Sequence, residues 1–175
     1  MKYIALLRGI NISGQKIIKM ADLRAILEKV GLSKVQTYIQ SGNVIFESDE
    51  SKSVLTSLII NTIEKQYEFI VPTFIITPKE LEKAISNNPY VEVEGNKLYL
   101  TFLSDKANLD GMGAIHEKVH ENEFLQLIEN VMYFYCPDGA ARSKITNNLI
   151  EKKLEVKATT RNWRTCDKLL NLLIE

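Results

Sequence analysis

The chain predicts an α+β protein made of two ferredoxin-like (βαββαβ) modules joined by a short helix, with an extra C-terminal helix. Two observations carry this. Short apolar runs and amphipathic stretches follow the order β-α-β-β-α-β through the first half, and the same order returns, less cleanly, after residue 96. A helix-start signal followed by an Asn-Asn-Pro stop separates the two halves. At 175 residues, a compact form withdraws roughly 70% of the unfolded chain's surface from water. Folding therefore requires neither a disulfide nor a metal.

In chain order, residues 3–7 form a short apolar run suited to a central strand, and the stretch from Gly9 to Lys16 is a glycine-bearing polar loop. Met20, Leu23, Ile26, Leu27 and Val30 share one helical face that stops at Gly31. Residues 35–39 and 44–46 are strands around the turn Ser41-Gly42-Asn43. Val54, Leu55, Leu58, Ile59, Ile63 and Tyr67 form a second amphipathic helix, and residues 72–77 a fourth strand whose proline suits an edge. Thr77-Pro78-Lys79-Glu80 combines an N-cap, a first-turn proline and a capping-box glutamate. The predicted organisation is 1–78 for the first module, 79–96 for the linking helix and loop, and 97–175 for the second module with its closing helix.

In the second half, residues 98–103 read as a strand, and residues 108–120 as a helix weakened by Gly111 and Gly113. Residues 124–128 and 131–136 form a hairpin around Glu129-Asn130, Ser143 is positioned to cap a helix running to Leu154, and residues 156–160 are the fourth strand. Asn162 then caps the closing helix, in which Trp163, Cys166, Leu170 and Leu173 recur at helical spacing. In such a sheet, strands one and two run one way and strands three and four the other. The exit from the first strand therefore meets the Ser41-Gly42-Asn43 turn at one end. In the second module, the starts of the Ser143 and Asn162 helices come together.

The 22 basic residues balance 22 acids, which argues against bulk electrostatic binding of nucleic acid. Their distribution is uneven. Nine of the bases lie in the stretches 1–20, 139–150 and 156–166, which contain no acid. Backbone donors at a helix start beside Arg161 and Arg164 make an anion site the natural reading. Cys136 lies in an apolar strand and Cys166 on a helical apolar stripe, a pattern of buried free thiols rather than of a secreted disulfide framework. No run approaches the ~18 apolar residues of a membrane span, and the apolar N-terminal run is too short for a signal peptide. A cytoplasmic chain without a membrane partner is expected.

Three motifs compete with this reading. Gly9 through Gly14-Gln15-Lys16 imitates a phosphate-binding loop, but Gln15 stands where the lysine belongs and the sheet is not parallel. His116-Glu117-Lys118-Val119-His120 spells a zinc-protease motif, although nearby glycines weaken the helix it needs and a solvated face is the favoured reading. Tyr99, Tyr133 and Tyr135 are candidates for one aromatic sheet face, with packing the favoured role. Ser41, Ser143 and Cys166 have no histidine positioned to activate them. The sequence thus leaves open whether the chain is an enzyme.

Five blocks carry a resemblance. They are Ala5-Leu6-Leu7-Arg8-Gly9-Ile10-Asn11; Lys19-Met20 with Leu23-Arg24; Thr37-Tyr38-Ile39-Gln40-Ser41-Gly42-Asn43-Val44; Pro137-Asp138-Gly139 with Arg142-Ser143-Lys144; and Thr160-Arg161-Asn162-Trp163. Together they closely resemble the bacterial family catalogued as domain of unknown function 1697. Ser13-Gly14-Gln15 stands where that family usually has Gly-Gly-Lys, and Thr159 where it has alanine. The resemblance implies no catalytic set and no cofactor. Because its polar blocks coincide with the base-rich stretches, it points to a shared polar site of Arg8, Asn11, Lys19, Ser41, Asn43, Arg142, Ser143, Lys144, Arg161, Asn162 and Trp163. The expected partner is a phosphate-bearing small molecule or a nucleic-acid end, bound or acted on there. The alternative is an interaction module whose Arg8, Asn11 and Asn162 bond carbonyls and cap loops.

Overall fold

In the computed structural model, which describes residues 1–174, the chain divides into two compact units. The first is Met1–Leu81 together with the chain end from Leu173, and the second is Glu82–Leu172. In the first unit the order is β1 (Lys2–Leu7), α1 (Met20–Lys29), β2 (Ser33–Tyr38), β3 (Asn43–Glu47), α2 (Lys52–Tyr67) and β4 (Thr73–Ile76), followed by α3 (Pro78–Ser86). The four strands form a sheet in the order β2-β3-β1-β4, and every neighbouring pair is antiparallel.

Every residue of β1 from Tyr3 to Leu7 is buried, on both faces of the pleat. Tyr3, Ala5 and Leu7 share a core with Leu23 and Leu27 of α1 and Leu55, Ile59 and Ile63 of α2. The four-residue and three-to-four-residue spacings in those helices explain why each presents one apolar stripe. Ser51 caps α2 by accepting from Val54 N at 3.4 Å. At the start of α3, Thr77 Oγ1 accepts from Glu80 N (3.2 Å), and Glu80 Oε2 accepts from Thr77 N (2.7 Å), closing the box read from the sequence.

The second unit contains β5 (Leu98–Leu103), α4 (Met112–His116), β6 (Phe124–Ile128), β7 (Val131–Tyr135), α5 (Asn147–Leu154), β8 (Ala158–Asn162) and α6 (Trp163–Ile174) as far as Leu172. Its sheet has the order β6-β7-β5-β8, again wholly antiparallel. Leu103, Leu125, Met132, Phe134 and Ala158 pack with Ile115 of α4 and Ile150 and Leu154 of α5.

Three local expectations are corrected here. The helix expected over 108–120 is a 3-10 turn, Leu109–Gly111, followed by the short α4. Gly111 approaches the end of α5 so closely that a Cβ there would lie 1.8 Å from the Lys153 carbonyl oxygen. The glycine marks a helix-to-helix contact rather than a weak point in one long helix. Ser143 does not cap α5: its Oγ accepts from Ile145 N (3.0 Å), and Thr146 caps the helix by accepting from Leu149 N (3.2 Å). Tyr99 pairs with Phe134 and so faces α4 and α5, whereas Tyr133 and Tyr135 point to the opposite face. The three tyrosines form no common platform.

Candidate functional site

The anticipated site residues fall into two sets, one in each unit. In the first unit, Leu7 N donates to Gly42 O (2.8 Å) and Arg8 N to Pro72 O (2.9 Å). The exit from β1 thus joins the β2–β3 turn and the entry to β4, as the strand directions require. Asn11 ties this end together. Its Nδ2 donates to Ile18 O (3.0 Å) and Gln40 O (2.8 Å), and its Oδ1 accepts from Ile18 N (2.8 Å). Asn43 is fully buried and donates from Nδ2 to Tyr38 O and Ser41 Oγ, both at 3.0 Å. Arg8 is half-buried and Lys19 exposed at the N-cap position of α1, without a capping side-chain bond.

The glycine loop does not cradle an anion as a phosphate loop does. Gly9, Asn11, Ser13, Gly14 and Lys16 all have positive φ, Ile12 bridges Gln15, and α1 begins only at Met20. Lys16 is engaged with Ile70 O at 2.8 Å. This folds the loop back on its own unit.

In the second unit, Asn162 caps α6 as expected: Oδ1 accepts from Arg164 N (3.0 Å), while Nδ2 donates to Asn96 O (2.9 Å). Trp163 is half-buried against Gly95, where a Cβ would lie 2.9 Å from the indole Cδ1. Arg161 is only 7% exposed, and its Nη1 donates to Thr159 Oγ1 (3.0 Å) and Thr160 O (2.9 Å). Burial lowers its pKa to about 10, with Cys166 acting the other way, so the guanidinium remains a cation at neutral pH. At the start of α5, Asn147 Oδ1 accepts from Thr160 Oγ1 at 2.7 Å, and Thr160 Oγ1 also bonds Thr101 Oγ1 at 2.7 Å.

Arg142 and Lys144 are exposed, and Arg142 does not join Arg161. Arg142 lines a cleft of about 680 Å³ with His120, Glu121, Asn122, Glu123 and Asp138, beyond the β6 side of β7, whereas Arg161 lies on β8 at the other edge. The physical reason is the 3-10 turn Ala140–Arg142, which directs the chain toward the residues preceding β6. Glu123 anchors this corner although it is 6% exposed. Its Oε1 accepts from Cys136 Sγ (3.2 Å) and its Oε2 from His120 N (2.9 Å).

Neither thiol is prepared for nucleophilic chemistry. Burial, then the Glu123 hydrogen bond, pushes Cys136 up to about 11. Burial pushes Cys166 up to about 12 against the opposing effect of Arg161. A depressed pKa, not a raised one, marks a reactive cysteine. His116 ends α4, and both it and His120 are exposed, so the two imidazoles do not share a helical face. Among the described residues no group of three or more His, Cys, Asp or Glu is arranged to hold a metal ion. None of their helices is long and apolar enough to cross a membrane.

Sequence reasoning missed Glu123 and the unpaired outer edge of β6. A glutamate three residues after His120, accepting from its backbone N–H, was the available signal for the first. The uncharged run Phe124-Leu125-Gln126-Leu127-Ile128 beside a two-residue turn was the signal for the second.

Among the described residues the architecture is mixed α+β, with two four-stranded antiparallel sheets and six α-helices. Residues 1–133 match the family described as "Protein of unknown function (DUF1697)", and the chain belongs to that family. It is also similar to a solved structure described as that of the conserved bacterial protein SP0830 from Streptococcus pneumoniae, with 26% identity, a TM-score of 0.74 and 98% of each chain covered. Among the curated proteins none matches.

Proposed function

We propose that this chain is a protein-interaction module whose polar sequence blocks hold its loops in place. The observation that carries this reading is the internal saturation of Asn11, whose two amide donations and one acceptance all go to backbone groups of its own unit. Asn43 and Asn162 behave alike, one at a buried turn and the other at a helix start. Ferredoxin-like architecture for both units belongs to this reading, supported by the strand orders β2-β3-β1-β4 and β6-β7-β5-β8. A cytoplasmic setting also belongs to it, in keeping with two buried free thiols.

Asn11→Ala removes three hydrogen bonds, each worth about 1 kcal/mol net, so it is expected to lower the unfolding free energy by roughly 2–3 kcal/mol. Urea denaturation measures that loss. In parallel, inorganic phosphate, a nucleoside diphosphate and a 5′-phosphorylated oligonucleotide are titrated while the melting temperature is followed. The interaction reading expects no rise. A rise that Arg142→Ala or Lys144→Ala abolishes would establish the competing reading, an anionic ligand or phosphorylated substrate at the basic segments. Both side chains are exposed, so these variants leave folding intact.

A further inference from the structure

We propose that the outer edge of β6 is a β-augmentation site for an extended peptide carrying two alternate aliphatic residues followed by a basic one. The proposal rests on the interaction-module reading and names that module's surface and partner chemistry.

The hydrogen-bond alternation fixes which backbone groups are available. Cys136 N donates to Lys97 O and Leu103 N to Asn130 O, both at 2.9 Å. In an antiparallel ladder the bonded pairs recur every second residue. The main-chain groups of Met132 and Phe134 therefore face β5, and those of Val131, Tyr133 and Tyr135 face β6, where they meet Ile128, Gln126 and Phe124. The N–H and C=O groups of Leu125 and Leu127 consequently point away from β7. Among the described residues, β6 pairs with β7 alone.

Edges are ordinarily blunted by charge, proline, bulges or brevity. β2 carries Lys34 and a register shift between Ser33 and Gln36, β4 has four residues preceded by Pro72, and β8 carries Arg161 and leads directly into α6. β6 has five uncharged residues and none of these devices. It is the template edge of its sheet.

Two pockets give this edge a direction. At one end Leu127 lines a pocket of about 430 Å³ with Ala107 and Leu109, rimmed by Lys106, Glu129 and Asn130; Leu109 is 61% exposed, and the Glu129 carboxylate is already paired with Lys83 at 2.6 Å. At the other end lies the 680 Å³ cleft, with Glu121, Glu123 and Asp138 against Arg142. Glu123 immediately precedes β6 and meets Cys136; it lies four residues before Leu127, or about 14 Å at the usual strand rise. An antiparallel partner strand therefore sets an aliphatic side chain beside Leu127, a second beside Leu125, and a lysine or arginine four residues after the first, in the acidic cleft. A second copy of this chain fits less well. Antiparallel pairing of two β6 edges brings the Glu121–Glu123 end of one copy toward Glu129 of the other, acid facing acid.

The probe is a fluorescent nonapeptide with leucine at its third and fifth positions, lysine at its seventh and serine elsewhere, followed by anisotropy with the intact chain. The proposal expects binding at least about tenfold tighter than for the same peptide with glutamate at the seventh position. Glu121→Lys is expected to reverse that preference, and Leu109→Asp to weaken both peptides by about tenfold or more. Both residues are exposed, so neither variant threatens folding. Amide exchange should slow at Leu125 and Leu127 when the lysine peptide binds. No binding at about 1 mM, a preference indifferent to Glu121→Lys, or sedimentation showing dimers that Leu127→Lys dissociates would each overturn the site. A peptide failure without any phosphate response defeats this edge alone, whereas a phosphate response defeats the interaction reading beneath it.

Discussion

Gly42 and Gly14 both have positive φ, +82° and +75°, yet only Gly42 is enclosed. A Cβ on Gly42 would lie 2.6 Å from Leu7 Cβ and 2.9 Å from Ile10 Cδ1, while one on Gly14 would meet nothing within 4 Å. Left-handed backbone costs a non-glycine residue roughly 1–2 kcal/mol, and overpacking adds typically ~1–3 kcal/mol. Gly42→Ala is therefore expected to destabilise by about 2–5 kcal/mol and Gly14→Ala by about 1–2 kcal/mol, as measured by urea denaturation. The sequence shows both glycines in loops; only the packed structure distinguishes them. Asn11 is similar. Its place in a polar block was legible, but carbonyls at Ile18 and Gln40 had to converge before its role as a tie became visible.

At the scale of elements, α3 was readable because its start signal is local. Thr77, Pro78 and Glu80 act within one helical turn, and Lys52 adds hydrogen bonds to Glu80 at 2.6 and 2.8 Å. Burial tends to raise the Glu80 pKa, but the Lys52 hydrogen bond and then Thr77 N outweigh it and hold it below its ordinary 4.5. A carboxylate with a depressed folded pKa contributes stability that is present above the unfolded value and lost as pH falls through the folded one. Glu80→Gln should therefore reduce stability at pH 7 and flatten its decline below about pH 4.5, an outcome that denaturation midpoints across pH 3–7 will reveal. Thr77→Ala should cost about 1 kcal/mol at pH 7. Ser143 and Thr146 are both good caps, so local preference alone does not place the start of α5. Ser143 Oγ instead accepts from Ile145 N, Ile145 between them is buried, and that burial depends on the rest of the fold.

At the scale of the molecule, each sheet has one central pair of strands and two edges, and protection from exchange should follow that arrangement. Amides of β1 and β5 are expected to exchange slowest, with those of Leu125 and Leu127 near the rate of open loops. Residue-resolved hydrogen exchange measures this, and protected Leu125 and Leu127 in the isolated chain would show that their edge is already covered. Charge counting located the basic stretches correctly but could not bring them together. Arg142 turns toward the residues before β6, while Arg161 is buried along β8. Whether scattered cations form a site depends on strand order and loop direction, which linear spacing does not encode.

Strand and helix order, the caps at Thr77 and Asn162 and the hairpin at Glu129-Asn130 are legible from amino-acid order, because each depends on backbone preference and periodicity within a few residues. Only folding makes Asn11, Asn43 and Asn162 bond within their own units, turns Gly111 and Gly42 into points of contact, and leaves β6 paired on one side alone among the described residues. Those outcomes require groups from distant segments to meet, and burial and pairing are properties of what lies opposite a residue rather than of the residue itself.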